Sequence, residues 1–440
     1  MRILSFLTGI FFLIVACCST ALAQEKGGTN RPMRLQDQKP AKGKKQDSKK
    51  KSTPNRNNAQ NQADDSSQVA ASQQQAAADQ ALQSYLTSTR RQRLGRVPRM
   101  FGDWFGPGIR ITTVSETPGP TNGIFTAFDL PQIVRVGKIS ENNNALPVDR
   151  AYFNFNYFNQ VGNNAAIGPD TQSAIGSSSV ARYTLGLERT FFDGLTSLEA
   201  RFVMGDVTDF GHSPAGPGAL GFQTYSPTMG NLSVISKFLL YEDDSTALAA
   251  GLGIEFPTGG DTLVQSGSSV LNIRNNASYL TPYLGLLKKP VDSPWFANAF
   301  VQVEVPTWGD RVFLTETANG SSTRVGIYTP QTAVFVDVGI GRWLAQNPGG
   351  VVTGIAGFVE AHYNASLNDA DQMSESVNAG PLSSTVNLNP GVGNFEVVDI
   401  TAGLHFEFGQ QAKLRIGGIV PVSSDKPFDS EFGLQWTQYR

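Results

Sequence analysis

From residue 150 onward the chain repeats one pattern, in which apolar and polar side chains alternate along a run, a connection follows, and another such run begins. A period of two puts successive side chains on opposite faces of a strand. Residues 180–191 set Ala181, Tyr183, Leu185, Leu187 and Phe191 against Arg182, Thr184, Gly186 and Glu188. The next run sets Leu198, Ala200, Phe202 and Met204 against Glu199 and Arg201, and Val398, Ile400, Ala402, Leu404 and Phe406 oppose Asp399, Thr401, His405 and Glu407. Strand-like runs fall near 150–160, 180–192, 195–205, 230–242, 245–257, 278–289, 294–306, 331–345, 350–365, 395–408, 411–422 and 428–439, which makes twelve. Most reach the length of about 9 to 11 residues that crosses a bilayer at a tilt.

The connections sharpen this pattern. Short ones, such as Asp193-Gly194, Asp243-Asp244 and 409–411, alternate with long polar loops at 161–179, 206–229, 258–277, 307–330 and 366–394, and a shorter loop follows at 423–427. Short turns at one rim and long loops at the other belong to outer-membrane barrels. A soluble sandwich could also bury alternating faces, but it gives no reason for this alternation of connections. Charged residues make up only 16% of the chain, and Gly and Phe are abundant at 45 and 27. The expected fold class is therefore all-β, a transmembrane antiparallel barrel of about twelve strands, with hydrocarbon against the apolar face and a water-filled lumen against the polar one. Aromatic residues at strand ends, including Phe191, Phe192, Tyr241, Trp295, Trp343, Tyr363, Phe408 and Tyr439, are expected to form interfacial girdles.

The N-terminal third has a different character. Residues 1–23 carry Arg2, an apolar run from Ile3 to Ala16 and the small-residue end Ala21-Leu22-Ala23, which together read as a secretory signal cut after Ala23. A lipoprotein signal acylated at Cys17 is the alternative. Both cysteines, Cys17 and Cys18, lie in this segment, so a chain cut after Ala23 contains no disulfide. Residues 24–95 are low in complexity and expected to form a disordered periplasmic arm, with a possible short helix within 66–93. Residues 24–63 hold 11 Lys plus Arg against 3 Asp plus Glu, a charge suited to an anionic periplasmic polymer. Nothing in the sequence points to nucleic acid, and the oligomeric state is not readable from it.

Residues 96–149 are expected to form a plug or a rim segment. Within and after them, "VGKISENNNALPVDRAYFNFNYFN" (136–159) carries Lys138, Glu141, Asn142, Asn143, Pro147, Asp149, Arg150, Phe153, Asn154, Asn156 and Tyr157. This run resembles a signature of a family of largely uncharacterised bacterial outer-membrane barrels. The layout of 100–440 is more distantly similar to outer-membrane channels of the phenol-degradation-pathway and long-chain-fatty-acid transporter type. The resemblance implies a barrel in the outer membrane with an N-terminal segment in or under it, and says little about cargo. Read physically, Asn142–Asn144 make a turn, and Asp149 and Arg150 pair or cap at the periplasmic rim.

The barrel region, 150–440, holds 15 Lys plus Arg against 26 Asp plus Glu, which favours cationic or neutral solutes. Several of these acids, among them Asp206, Asp261, Asp310 and Asp371, fall in loops. By parity the pore-lining candidates are Arg182, Glu188, Glu199, Arg201, Lys237, Glu255, Glu304, Asp337, Glu360, Asp399, His405 and Glu407. Glu360-x-His362 and His405-x-Glu407 could be drawn as metal ligands, but nothing fixes a third donor, so a hydrogen-bond network is the expected account and no metal or cofactor is expected. An outer-membrane lipid hydrolase would need a His-Ser pair facing lipid. The chain's three histidines are His212, in a long loop, and His362 and His405, both with lumen parity. The reading is a small-solute channel rather than an enzyme, with a structural anchor working through the basic arm as the alternative.

Overall fold

The computed structural model describes Gln75 and residues 94–103, 108–116, 124–130, 135, 137–168, 171–208, 222–225, 229–266, 269–316, 320–379, 382–389, 393–424 and 426–439. The signal segment, the basic arm apart from its last residues, and nearly all of the expected short helix lie outside them.

Twelve strands close on themselves: β1 (Arg150–Gly168), β2 (Thr171–Phe191), β3 (Thr196–Thr208), β4 (Met229–Glu242), β5 (Thr246–Phe256), β6 (Tyr279–Lys288), β7 (Trp295–Pro306), β8 (Ala333–Gln346), β9 (Gly354–Ser366), β10 (Glu396–Phe408), β11 (Ala412–Pro421) and β12 (Ser430–Tyr439). Each pairs antiparallel with its sequence neighbours, and β12 closes onto β1 from Ser430↔Asn159 to Tyr439↔Arg150. Closure leaves no strand edge in the ring, the condition that hydrocarbon imposes on a backbone full of donors and acceptors.

The outer face carries large apolar side chains open to the surroundings, among them Leu185, Leu187, Leu198, Phe238, Leu252, Leu284, Ile340, Val359 and Phe432. On a soluble domain such an area would be a liability; around a closed ring it is the lipid contact. Phe191, Phe192, Tyr241 and Trp295 stand exposed near the short-turn ends, as a girdle requires. Trp343 and Tyr439 correct that expectation, because their strand positions face inward. Trp343 packs on Phe296 and edge-on to His405, and the Tyr439 hydroxyl accepts a hydrogen bond from Arg99 Nε at 3.1 Å.

The expected long loops hold further strand. β1 and β2 run on as a hairpin past the expected boundary at 160. The connections at 257–278 and 307–332 hold the hairpins Thr262–Ser266/Ser269–Ile273 and Asp310–Glu316/Ser322–Tyr328, which join Phe222–Tyr225 in a five-stranded sheet. Met373–Ala379 and Leu382–Leu388 form another hairpin. It pairs with Ile109–Glu116, which in turn pairs with Ile124–Leu130, and the latter reaches the extension of β1. The two groups bury Ile109, Ile111, Val386 and Leu388 together with Val264, Leu271, Ile273, Val312, Leu314 and Tyr328. At the long-loop side the molecule therefore has an apolar core of its own, and part of it comes from the N-terminal segment.

Candidate functional site

The lumen is occupied by two stretches of that N-terminal segment running in opposite directions. Leu94–Asp103 rises from the short-turn end, the paired strands Ile109–Glu116 and Ile124–Leu130 join the strands of the long-loop side, and residues 137–149 descend to the start of β1. An isolated antiparallel bridge joins the two stretches at Met100↔Asn143, with Met100 N–H donating to Asn143 O at 2.8 Å. Gly102 has φ +83, and a Cβ placed on it would lie 2.7 Å from Glu141 Cα, so only glycine lets the stretches approach this closely. The Phe101 ring fits against the wall glycines Gly417 and Gly433, where a Cβ would meet its Cζ and Cε1, and stacks on Phe358 at 5.6 Å.

The wall reaches the rising stretch through long polar side chains. Glu360 accepts from Phe101 N at 2.7 Å and Gly102 N at 2.9 Å, Arg415 donates to the carbonyls of Arg99 and Met100, and Gln435 donates to Phe101 O. Near the short-turn rim Arg96 pairs with Glu407 at 2.9 Å, and Leu94, Val97 and Leu146 pack against Ala247, Leu287, Phe296 and Trp343. Below this apolar layer a cavity of about 1220 Å³ opens at the rim, lined by Arg96, Asp149, Lys289, Trp343, Glu407 and Lys413 among others.

All twelve pore-lining candidates point inward and are buried, the most exposed being Glu304 at 9%. The water-filled lumen expected from their chemistry is, among the described residues, packed with polypeptide. The inward charges fall into two groups.

Nearer the short turns, Arg150 pairs with Glu188 at 2.7 Å and with Glu199 at 3.2 Å, Arg201 with Glu199 at 2.6 Å, and Lys237 with Glu188 at 3.0 Å. The Tyr152 hydroxyl donates to Glu199. These are pairs between wall and wall. Contact with the descending stretch runs mainly through its backbone and asparagines: Arg201 donates to the carbonyls of Lys138 and Ile139, Arg150 to Asn142 O, and Lys237 to Asn143 Oδ1 at 2.7 Å.

Nearer the long loops the pairs cross from threaded chain to wall. Lys138 Nζ meets Asp103, Asp337 Oδ1 at 2.5 Å and Asn364 Oδ1 at 2.8 Å, and lies 5.7 Å from the centre of the Phe335 ring. His362 Nδ1 lies 2.8 Å from Asp337 and 3.2 Å from Asp103, while Asn364 Nδ2 donates to Asp399 at 2.9 Å. Arg135 pairs with Glu304, lies 3.9 Å from Glu255 and covers the Tyr279 ring at 3.6 Å. Asp103, Asp337 and His362 offer ligand atoms within 4.8 Å of one another, a cation-type donor set in whose midst the Lys138 ammonium sits.

Of the 136–159 signature, Lys138, Glu141, Asn142 and Asn143 are fully inside, and Asn142 does stand in a turn. Asp149 and Arg150 do not pair with each other. Asp149 accepts from Arg189 and from Thr190 N–H, and Arg150 turns inward to Glu188. Sequence parity did not single out Asp103, Arg135, Arg96 or Arg99, because they sit on irregular backbone with no period to reveal them. Glu360 and His362 share β9, but His362 leads to Asp103 and Asp337 and Glu360 to the backbone of Phe101 and Gly102, rather than to His405, whose ring lies 3.9 Å from Glu407 and edge-on to Trp343. His212 is outside the described residues.

No family model and no curated protein matches the chain. Among solved structures it is similar to an outer membrane channel from Pseudomonas putida F1 (13% identity, TM-score 0.42, covering 70% of this chain and 100% of that one). It is similar also to the β domain of the Bordetella autotransporter BrkA (12%, 0.38, 67% and 100%) and to the Pseudomonas putida toluene transporter TodX (10%, 0.33, 78% and 91%). At these identities the likeness is one of barrel fold alone.

Proposed function

We propose that the chain is an outer-membrane channel for small cationic or neutral solutes, held closed by its own N-terminal segment. The observation that carries this is that the filling is held to the polar wall by exchangeable pairs: Glu255, Glu304, Asp337, Glu360 and Asp399 face it, and Arg135 and Lys138 of the threaded chain pair with Glu304 and Asp337. Such pairs can exchange for water or solute when the filling shifts, and the acidic wall then favours cations. Short turns and both ends of the strand ring at one rim support a periplasmic placement of that rim.

The purified full chain in a planar bilayer under a KCl gradient tests this. Sparse openings with a cation-biased reversal potential are expected, and a Lys138→Met variant is expected to open far more often. An anion-biased potential, or silence from both proteins, overturns it.

One observation favours a second reading, a structural anchor. The strand Ile109–Glu116 is clamped at the long-loop side by a ladder from Ile111↔Leu388 to Glu116↔Ser383. Tension on the basic arm from the periplasm would therefore be resisted by this ladder and by every lumen contact. Co-sedimentation of the chain with insoluble envelope polymer, abolished by deleting residues 24–93, would support it; unchanged sedimentation after that deletion would not. A lipid hydrolase finds less support, since His362 and His405 are both buried inside the wall.

A further inference from the structure

We propose that the seat of Lys138 is a binding site for the ammonium head of a small primary amine, and that such a solute opens the lumen by replacing the Lys138 side chain. This rests on the channel reading.

The seat is complete for an ammonium. The group has three N–H donors and no acceptor, and the structure meets them with Asp103, Asp337 Oδ1 and Asn364 Oδ1 while turning the Phe335 ring toward the charge. Asp337, Asn364 and Phe335 belong to β8 and β9. If residues 137–149 withdraw, most of the seat stays behind in the wall.

The seat also holds more acid than Lys138 satisfies. Asp103, Asp337 and Asp399 surround one lysine and one histidine, and Asp337 Oδ2 is buried with no hydrogen bond to it. Buried acceptors without donors draw in a further donor or cation. An arriving alkylammonium supplies three donors and a charge, and exchanging one ammonium for another leaves the charge of the seat unchanged. Since Lys138 ties the descending stretch to β8 and β9, its release is the opening step.

The neighbouring Asp103, Asp337 and His362 could suggest a divalent ion instead. The seat is shaped otherwise, because a lysine ammonium lies between the two carboxylates and an aromatic face suits an organic cation better than a hydrated metal. A tethered competitor acts at an effective concentration in the millimolar range, so millimolar amine is the concentration at which the exchange is expected.

The test uses the full chain and two probes of equal charge, propylammonium and tetramethylammonium, of which only the first has N–H donors. In planar bilayers millimolar propylamine is expected to raise open probability by about tenfold or more, with no response to tetramethylammonium, and a Phe335→Leu variant is expected to lose most of the response. Independently of current, Lys138→Ala in detergent, checked for a folded barrel by heat-modifiable gel migration, is expected to gain thermal stability from propylamine and none from tetramethylammonium. Equal effects of the two probes, an unaltered response in Phe335→Leu, or opening by zinc but not by propylamine overturns the proposal. If Lys138→Met conducts while propylamine neither opens the parent nor stabilises Lys138→Ala, the seat is wrong and the channel stands. If propylamine stabilises Lys138→Ala but nothing conducts, the seat stands and the channel reading falls.

Discussion

The two halves of the lumen solve the same electrostatic problem differently. In the short-turn half, Glu188 and Glu199 are paired by Arg150, Arg201 and Lys237 from strands of the same wall, so these two acids keep their partners whether or not the N-terminal segment is present. In the long-loop half, Asp337 and Glu304 are balanced by Lys138 and Arg135, which belong to the threaded chain. Buried pairs stabilise little by their formation but cost much when one partner is removed. Damage to the first half should therefore cost the barrel, and damage to the second should cost only the closure.

The largest effect is expected from Glu188→Gln, which leaves Arg150 and Lys237 to share Glu199 in a buried site. A loss of about 3 to 5 kcal/mol should appear as failure to reach the heat-modifiable folded form. Lys138→Met comes next, with a folded barrel by the same gel assay and a large rise in open probability. If both variants lose the barrel equally, the two halves do not differ as described. Gly102→Ala should act in the same sense as Lys138→Met but more weakly, because a Cβ at φ +83 presses on Glu141 and forces the two stretches apart. Arg96→Ala removes a partner of Glu407 that is 44% exposed at the rim and should cost about 1 kcal/mol or less.

The smallest effect belongs to the short turn at Asp243. Partial burial opposes its charge, but the N–H groups of Ser245 and Thr246 and the Tyr241 hydroxyl outweigh this and hold its carboxyl below the usual carboxylate range. A lowered carboxylate contributes stability above its unfolded-state value and loses it as pH falls through the folded one. Thermal melts of Asp243→Asn and of the parent should therefore differ slightly at neutral pH and converge in acid.

Which of these features a reader of the sequence could see follows from periodicity. The twelve ring strands and the inward position of residues such as Arg201, Glu255 and Asp399 are legible because lipid and lumen impose a strict alternation on every strand. Trp343 and Tyr439 show its limit: an aromatic near a strand end fits a girdle or the lumen equally well, and only the exact register separates them. The strands in the loops escaped because their segments, such as 382–388, are polar and serine-rich, and become strands through pairing with distant partners such as 111–116. The lumen contacts of Asp103 and Arg135 escaped for a related reason. Their wall partners lie more than a hundred residues downstream, and irregular backbone carries no period that would point to them.

The central claim is that the chain passes through its own barrel and emerges beyond the long loops before returning to begin β1. Cysteine substitutions read by a membrane-impermeant maleimide test it most directly, using exposed Gly108 at the far end of the rising stretch and Gly349 in a short turn, where no neighbour lies within 4 Å. In intact cells Gly108→Cys should label and Gly349→Cys should not, until the outer membrane is permeabilised. Labelling of Gly349→Cys in intact cells with Gly108→Cys protected, or equal labelling of both, would contradict the threaded barrel.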